Sequence, residues 1–426
     1  MANIKLPYGK TILETVIPDY RINKILELKA YGYVSNMSET ELIDEALANP
    51  IESPPLKELV KGKNNIVLIA SDHTRPVPSK LIMPSLLKEI HEGNPEAKLT
   101  ILIATGFHRL TTKEELIDKF GEVIVNNPDI QFIIHESGKT EDFVNIGILP
   151  SGGELIINRY AAQADLLISE GFIEPHFFAG FSGGRKSVLP GICSRSTVMA
   201  NHCSEFIADP HSRSGILEGN PLHKDMLYAA EKAKLAFIVN VVLDNNKKVI
   251  KAFAGHYNEA HQVGCAFVED LCGVDASPAD IVISTNGGYP LDQNVYQTVK
   301  GMVAAEFSCK PGGIIIMVSS CVYGHGGQDL YDTFTNEKSL QAIMDDILAR
   351  KRGETVPDQW ESQILCRILL KHRVIMVTQA PEKLITDMQM EYAKNLQEAI
   401  AKADTYLGKS DSKITIIPDG VSVIVR

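Results

Sequence analysis

The chain has 426 residues, of which 44% are hydrophobic and 22% are charged, and its formal net charge is −11. This balance is that of an ordinary soluble globular protein, and the length allows two or three domains. The negative charge, together with the scattering of Lys and Arg along the chain, argues against a protein that binds nucleic acid.

The N-terminus and the cysteines indicate the compartment. Residues 1–7 lack the regions of a signal peptide. No apolar run approaches the roughly 18–20 residues of a membrane span. The seven cysteines are odd in number and include no Cys-x-x-Cys pair, which is typical of reduced thiols. We therefore expect a cytoplasmic protein without a role in a membrane.

The first 272 residues predict a hairpin and then strands that alternate with helices. The hairpin has its turn at 5–10 and its second strand at 11–17. The pattern Ser38-x-x-Glu41 is a capping box, which predicts a helix that ends near Leu47. Further strands are predicted at 66–70, 99–104, 130–135, 164–169, 235–243 and 248–253, and further helices at 79–92, 112–120 and 258–272.

The same alternation restarts after 273–279, where Gly, Asp, Ser and Pro make the best candidate for a linker. Strands are predicted at 280–284, 313–319, 373–378 and 413–417, and helices around Gln297 and Lys300 and at 338–351, 362–370 and 390–403. Alternating strands and helices imply parallel sheets with right-handed crossovers. We therefore predict an α/β protein of two domains, 1–272 and 280–426, with mostly parallel sheets and an active-site cleft between the domains.

Polar loops follow four of the predicted strands, at 71–76, 105–109, 170–191 and 285–300. In α/β folds, functional groups gather at the carboxyl ends of the strands. Asp72 and Arg75 follow one such strand, where Arg75 can bind a carboxylate and Asp72 can orient a partner. A helix cap and a surface arginine are the alternative. His108 follows the next strand and is a natural general base, unless it is an incidental polar residue.

The densest group of functional residue types lies at 173–202. His176 precedes the turn Ser182-Gly183-Gly184, whose glycines allow close approach of a ligand and are expected to leave backbone amides for an anion. Lys186 can bind a phosphate or act as a nucleophile. The stretch has no Walker-type phosphate loop, and no Gly-x-Gly-x-x-Gly follows any predicted strand, so ATP and free NAD are poorly supported.

Three further positions carry open alternatives. His202 lies in a helical stretch, where a histidine is more often packed or solvated than bound to metal. No pattern of zinc ligands accompanies it, so a metal there would need a cofactor to fill its other positions. Gln297 and Lys300 share a helix face near Tyr296. They are surface residues or, if they face the cleft, groups that hold a substrate carboxylate or carbonyl.

Together these residues resemble the nickel-dependent lactate racemase family over essentially the whole chain. Five motifs carry the resemblance: Ser-Asp-x-Thr-Arg-Pro at 71–76, Thr-Gly-x-His-Arg at 105–109, Glu-Pro-His-x-x-Ala-Gly-Phe-Ser-Gly-Gly-x-Lys at 174–186, Asn-His at 201–202, and Gly-Gly-Tyr-Pro-Leu-Asp-Gln-Asn-x-Tyr-Gln-x-x-Lys at 287–300.

The resemblance implies an N-terminal cofactor-binding domain with a nickel pincer nucleotide. This is a pyridinium-3,5-dithiocarboxylic-type mononucleotide, made by separate cofactor-synthesis enzymes. It would be attached to Lys186 through a thioamide, with His202 as a nickel ligand. A roughly square-planar nickel site fits the preferences of that metal. We expect the turn Ser182-Gly183-Gly184 to hold the nucleotide phosphate.

The resemblance also implies a racemase of 2-hydroxy acids, with lactate as the first expectation. His108 and His176 would be the two acid–base groups, and hydride would pass reversibly from the substrate to the cofactor through a planar 2-keto acid. Arg75 and Lys300 would hold the substrate, supported by the side chains Asp72, Tyr296 and Gln297. Malate or a larger 2-hydroxy acid is the alternative substrate, and malate would need a further cation such as Arg109 or Arg185. The alternative of another class is a non-catalytic, two-domain anion-binding protein.

Overall fold

The computed structural model describes residues 1–336 and 338–426. Its chain divides into two compact units, each built on a six-stranded sheet. We number the strands in chain order: β1 (Ala2–Tyr8), β2 (Thr11–Ile17), β3 (Ile22–Ile25), β4 (Asn65–Ser71), β5 (Lys98–Ala104), β6 (Ile130–Ile134), β7 (Phe143–Ile148), β8 (Glu154–Asn158), β9 (Leu166–Phe172), β10 (Pro175–His176), β11 (Gly180–Phe181), β12 (Leu235–Leu243), β13 (Val249–Gly255), β14 (Gly273–Val274), β15 (Ala279–Thr285), β16 (Cys309–Val318), β17 (Arg373–Val377), β18 (Glu391–Ala393), β19 (Ile414–Ile417) and β20 (Ile424–Val425).

The helices lie where the sequence supplies caps and an apolar face. Ser38 and Thr112 each form the predicted capping box. The helices are α1 (Glu39–Ala48), α2 (Leu56–Leu59), α3 (Ser79–Gly93), α4 (Lys113–Phe120), α5 (Glu122–Val125), α6 (Arg159–Ala162), α7 (Arg195–Asn201), α8 (Ser204–Ala208), α9 (Pro221–Lys232), α10 (Glu259–Cys272), α11 (Val295–Ser308), α12 (Gln328–Phe334), α13 (Leu340–Ala349), α14 (Gln359–Lys371), α15 (Glu382–Asp387) and α16 (Leu396–Leu407).

The first unit comprises Ala30–His202 and Pro210–Asp270. Its sheet has the order β13-β12-β9-β4-β5-β6 and is parallel except for β13, which pairs antiparallel with β12. The central strand β4 is buried on both faces, which explains its near-continuous apolar sequence. This arrangement puts the loops after β4, β5 and β9 at one edge of the sheet, where α/β proteins bind their ligands.

The second unit comprises Met1–Lys29, Cys203–Asp209 and Leu271–Arg426. Its sheet has the order β18-β17-β16-β15-β19-β3 and is parallel throughout. The hairpin of β1 and β2 covers this sheet, since Ile4, Leu6 and Ile17 join the same apolar core as the strands. The prediction of an α/β protein with mostly parallel sheets is thus confirmed.

The two units do not coincide with the boundaries predicted at 272 and 280. The first 29 residues belong to the second unit because β3 pairs in parallel with β19. Residues 203–209 join the same unit, since Gln363 donates to the carbonyl of Ser204 at 2.8 Å and Arg352 pairs with Glu205 at 2.9 Å. Such pairings join distant parts of the chain, so local periodicity does not reveal them. The expected linker is also partly ordered, because β14 pairs with β20.

Several predicted elements differ from the structure in their bounds, and two of them are instructive. The helix predicted at 390–403 is wrong at its start, where β18 runs in the sheet and α16 begins only at Leu396, capped by Asn395. The strand predicted at 164–169 starts two residues later and ends three residues later, at Leu166–Phe172. Short apolar runs fit a strand or a helix equally well, which accounts for the first error.

Candidate active site

His108 and Asp72 form a hydrogen-bonded pair at the carboxyl ends of β4 and β5. Nδ1 of His108 lies 2.6 Å from Oδ2 of Asp72. The Asp72 side chain is 1% exposed, whereas that of His108 is 39% exposed. Thr74 donates to the other carboxylate oxygen at 2.7 Å. With its proton on Nδ1 facing the carboxylate, His108 has an available lone pair on Nε2, as a general base requires.

The charge of Asp72 is secured by its partners. Burial raises the pKa of Asp72, but the hydrogen bonds from His108 and Thr74 and the charges of His108 and Arg75 outweigh it, so the pKa lies below its ordinary value. The carboxylate therefore stays ionised at neutral pH and fixes the tautomer and the orientation of the His108 ring.

Arg75 lies in the exposed part of the same loop. Within the described residues its guanidinium forms no hydrogen bond or ion pair, so it can bind an anion. Lys119 supports the loop from α4, because its ammonium lies 3.2 Å from the carbonyl oxygen of Arg75 and 3.4 Å from that of Val77. Burial lowers the pKa of Lys119, and nearby carboxylates oppose this.

His176 lies in a short hairpin formed by β10 and β11, between two aromatic rings. Its ring stacks on Phe177 at a centroid distance of 5.1 Å and meets the edge of Phe178 at 4.5 Å. The backbone N–H of Ala179 donates to Nδ1 of His176 at 3.2 Å. The neutral ring therefore carries its proton on Nε2, the opposite tautomer to that of His108.

Lys186 and His202 meet on the same aromatic ring. The ammonium of Lys186 lies 5.9 Å from the centroid of Phe178, and the ring of His202 lies 5.3 Å from it in an edge-on arrangement. His202 is 5% exposed and caps the C-terminus of α7. Burial and the nearby charge of Lys186 lower the pKa of His202 to about 3, so the imidazole is neutral. A neutral imidazole is the form that binds metals.

The turn Ser182-Gly183-Gly184 is held by its own unit. A Cβ atom on Gly183 would lie 2.8 Å from the Asn240 side chain, and one on Gly184 would lie 2.6 Å from the ring of His261. Both residues have positive φ angles, 77° and 53°, which favour glycine. Glycine is thus needed here for close approach of protein groups.

The backbone amides of this turn are largely engaged. The N–H of Gly184 donates to Asn240 at 2.8 Å, and the N–H of Ser182 donates to the carbonyl of Glu174 at 2.9 Å. The Ser182 hydroxyl donates to the carbonyl of Phe172 at 3.1 Å. The expectation that this turn leaves its amides for an anion is therefore not met at Ser182 and Gly184.

Arg185 anchors the glycine turn from the protein interior, a role that the sequence does not reveal. Its side chain is buried and donates to the carbonyls of Phe181 and Ala179 at 2.8 and 2.7 Å and to Nδ1 of His223 at 3.0 Å. Burial lowers the pKa of Arg185 to about 10. These contacts fix the backbone that presents Lys186.

The predicted residues of the second unit lie together on the first turns of α11. Lys300 donates to Oε1 of Gln297 at 2.6 Å, which confirms their shared helix face. The hydroxyl of Tyr296 accepts a hydrogen bond from Trp360 at 3.2 Å. Burial, followed by the negative charges of Glu361 and Asp358, raises the pKa of Tyr296 well above its ordinary value, so the phenol remains protonated.

A buried polar stretch at the start of α14 escapes sequence reasoning. Residues 359–363, Gln-Trp-Glu-Ser-Gln, are all buried, although four of them are polar. In a sequence such a run is normally interpreted as an exposed helix face. The signal that the sequence does offer is the apolar run that follows directly, Ile364-Leu365-Cys366.

The structure limits the kind of metal site that is possible. Within residues 1–336 and 338–426, no three His, Cys, Asp or Glu side chains are grouped so that they can hold a metal ion. A metal bound at His202 would therefore need ligands from beyond these side chains. Among the same residues, none of the helices combines the length and the apolar composition that a membrane crossing requires.

Two protein-family models match this chain. The lactate racemase N-terminal domain matches residues 8–215, and the lactate racemase C-terminal domain matches residues 274–425. The chain belongs to the lactate racemase family. The resemblance drawn from the five motifs is thus confirmed, and the protein is an enzyme of the isomerase class. Membership of this family is consistent with a bound cofactor.

Known relatives cover the full length of the chain. A lactate racemase from Thermoanaerobacterium thermosaccharolyticum is 57% identical over 427 residues, and one from Lactiplantibacillus plantarum is 53% identical over 427 residues, each covering all of both chains. The solved lactate racemase apoprotein from T. thermosaccharolyticum superposes with a TM-score of 0.96 at 56% identity and full coverage of both chains.

A more distant structure shares the fold alone. It is a structural-genomics target from Thermotoga maritima with a TM-score of 0.64 at 19% identity, and the match covers 92% of this chain and all of that one.

Proposed function

We propose that this protein interconverts D- and L-lactate through pyruvate, with its acid–base groups and its cofactor attachment in the first unit. One observation carries the proposal. His176, Lys186 and His202 all pack on the ring of Phe178. Two imidazoles and a primary ammonium group are thus gathered around one side chain, next to the edge of the sheet that presents His108.

We propose that the cofactor is the nickel pincer nucleotide, held covalently by Lys186 and by His202 as a nickel ligand. The donor set fits, because His202 is a neutral imidazole and no protein cluster competes for the metal within the described residues. When bound, this group supplies hydride acceptance and donation at C2 of the substrate. Separate synthesis enzymes would provide it, in the cytoplasm, where the seven buried thiols would remain reduced.

The glycine turn has a different part in this proposal from the one first expected. Since the amides of Ser182 and Gly184 bind protein groups, the turn acts chiefly as the support of Lys186. Gly183 allows the approach of Asn240, and Gly184 that of His261. Any contact of Ser182, Gly183 or Gly184 with the nucleotide would have to add to these bonds.

His108 takes the proton from the 2-hydroxyl group of one enantiomer, and Asp72 stabilises the imidazolium that results. The 2.6 Å bond between them holds Nε2 as the basic atom. His176 serves the opposite face of the planar keto acid. There the protonated ring gives a proton from Nε2 to the substrate oxygen, and the neutral ring takes one back at the same atom. In both roles Nδ1 carries a hydrogen, so the ring must give up the bond that it accepts from the N–H of Ala179.

Arg75 and Lys300 bind the carboxylate and the C2 oxygen of the substrate, with Gln297 and Tyr296 in support. Tyr296 acts as a hydrogen-bond donor, because its phenol stays protonated. Gln297 positions the ammonium of Lys300.

A monocarboxylate such as lactate fits better than malate. A second carboxylate would need a further cation, and the two nearest in sequence are engaged. Arg109 pairs with Glu115 at 2.8 Å, and Arg185 is buried below the glycine turn. Lactate therefore remains the proposed substrate, in preference to a dicarboxylic acid.

The test is an intact-mass and nickel measurement on protein made together with the cofactor-synthesis enzymes, followed by chiral analysis of D-lactate incubated with it. We expect bound nickel, an added mass and conversion to a racemic mixture. The variant Lys186→Ala should lose the added mass, whereas Lys224→Ala, an exposed lysine of the same unit, should keep it.

Other outcomes separate the parts of the proposal. Nickel and an added mass with untouched lactate would retain the cofactor and exclude this substrate. If folded protein with a verified cofactor supply carries no nickel and no added mass, the cofactor assignment is wrong.

A further inference from the structure

Glu361 is a buried acid that the proposed reaction does not use. It lies in the first turn of α14 and is 0% exposed. Neither of its carboxyl oxygens has a hydrogen-bond partner among the residues that the structure describes. An ionised carboxylate in such surroundings is strongly disfavoured, whereas the neutral acid is tolerated. Polar residues that break the ordinary pattern of burial are expected at functional sites.

The charged groups around Glu361 belong to the substrate-binding side of the second unit. Lys300 on α11 favours the ionised acid, and Asp358, at the cap of α14, opposes it. Burial is the largest effect and raises the pKa of Glu361 to about 8. The negative charge of Glu361 also raises the pKa of Tyr296 on α11.

Other charged groups on the elements packed against α14 are engaged away from Glu361. Asp329 on α12 is exposed and acts on Asp358. The remaining groups and their partners are Glu205 on α8 (Arg352), Asp332 on α12 (Gln328), Asp345 on α13 (Gln341), Asp346 on α13 (Lys338), Glu306 on α11 (Arg367 and Lys371) and Arg373 on β17 (Glu391).

We propose that Glu361 controls the charge of the anion-binding group Tyr296, Gln297 and Lys300, so that binding of the substrate carboxylate requires Glu361 to be protonated. This inference rests on the proposed role of Lys300 in binding the substrate. When Glu361 is neutral, the ammonium of Lys300 pairs with the substrate carboxylate. An ionised Glu361 competes for that charge and repels the incoming carboxylate. Glu361 thus acts through Lys300 and takes no part in the chemical step.

The test is the pH dependence of KM for D-lactate between pH 6 and pH 10, in full-length protein loaded with its cofactor. In the wild type we expect KM to be constant at low pH and to rise about tenfold per pH unit once Glu361 is ionised. Glu361→Gln keeps the size of the acid and cannot ionise. Its KM should stay low over the range in which that of the wild type rises, with kcat little changed.

Glu306→Gln is the matched control. Glu306 is an acid between the same two helices, but it pairs with Arg367 and Lys371 at 2.8 and 2.9 Å. Its replacement should leave the pH dependence of KM as in the wild type. Parallel profiles for the wild type and Glu361→Gln would overturn the inference alone. A wild type that does not racemise lactate at any pH would overturn the proposed function and this inference with it.

Thermal unfolding reports the same titration without lactate. The folded pKa of Glu361, about 8, lies above the ordinary value of 4.5. Between these values the folded state binds the proton that the unfolded state has lost, so stability falls as the pH rises. The difference in Tm between Glu361→Gln and the wild type should therefore shift in favour of the variant from pH 5 to pH 8 and then level off. A margin that does not change with pH would show that Glu361 is ionised throughout and would overturn the inference.

Discussion

The two histidines that we propose as acid–base groups, both in the first unit, are held in different ways. His108 is partly exposed and bonded through Nδ1 to the buried carboxylate of Asp72. His176 lies between Phe177 and Phe178 and accepts a backbone N–H at Nδ1. A carboxylate stabilises the protonated ring, whereas an N–H directed at Nδ1 opposes it. In the proposed mechanism, the two faces of the substrate would therefore be served by unequal groups, even though a racemase must use both.

The largest expected effects come from removing either ring. His108→Ala and His176→Ala should each lower the rate of racemisation by about 10²–10⁴, the usual contribution of a general acid or base. If each ring serves one enantiomer, each variant should still form pyruvate from one enantiomer of lactate and fail with the other. Acid quenching after a single turnover, with D- and L-lactate assayed separately, measures this.

The preference for one enantiomer should be opposite in the two variants. Equal losses with both enantiomers in both variants would show that the rings act together in each direction. The proposal that each ring serves one enantiomer would then be wrong.

Asp72→Asn tests what the carboxylate adds to His108. The amide keeps the size of the side chain but cannot stabilise an imidazolium. We expect a loss of roughly 10- to 10²-fold, corresponding to the about 1.5–3 kcal/mol of a hydrogen bond to a charged group. The loss should fall on the enantiomer that depends on His108, as identified by the alanine variants. The Tm should be recorded alongside, because Asp72 is buried.

The structure helps to explain which parts of this site the sequence predicts. Asp72, His108 and Lys186 follow strands of strong apolar character, so their place at the edge of the sheet could be derived from periodicity and loop position. Their partners could not. The bond between Asp72 and His108 joins residues 36 positions apart. The groups that hold the glycine turn, Asn240 and His261, lie more than fifty positions beyond it.

Burial of polar residues is the other feature that the sequence conceals. Arg185 is indistinguishable in sequence from a phosphate-binding arginine, yet its bonds to backbone carbonyls and to His223 make it an internal anchor. Glu361 lies in a polar run that would ordinarily be placed on a solvent-facing helix surface. In both cases tertiary packing decides the environment, and that packing is set by elements distant in the chain.

Phe177→Leu should have the smallest effect and bears most directly on the difference between the two histidines. The Phe177 ring stacks on His176 at 5.1 Å with an interplanar angle of 23°. An aromatic pair of this kind contributes about 0.5–1.5 kcal/mol, so we expect a loss of roughly 2- to 10-fold. The loss should appear with the enantiomer that depends on His176 and spare the other. A loss shared equally by the two enantiomers would mean that Phe177 shapes the site as a whole, and the stacking would then not explain how His176 is held.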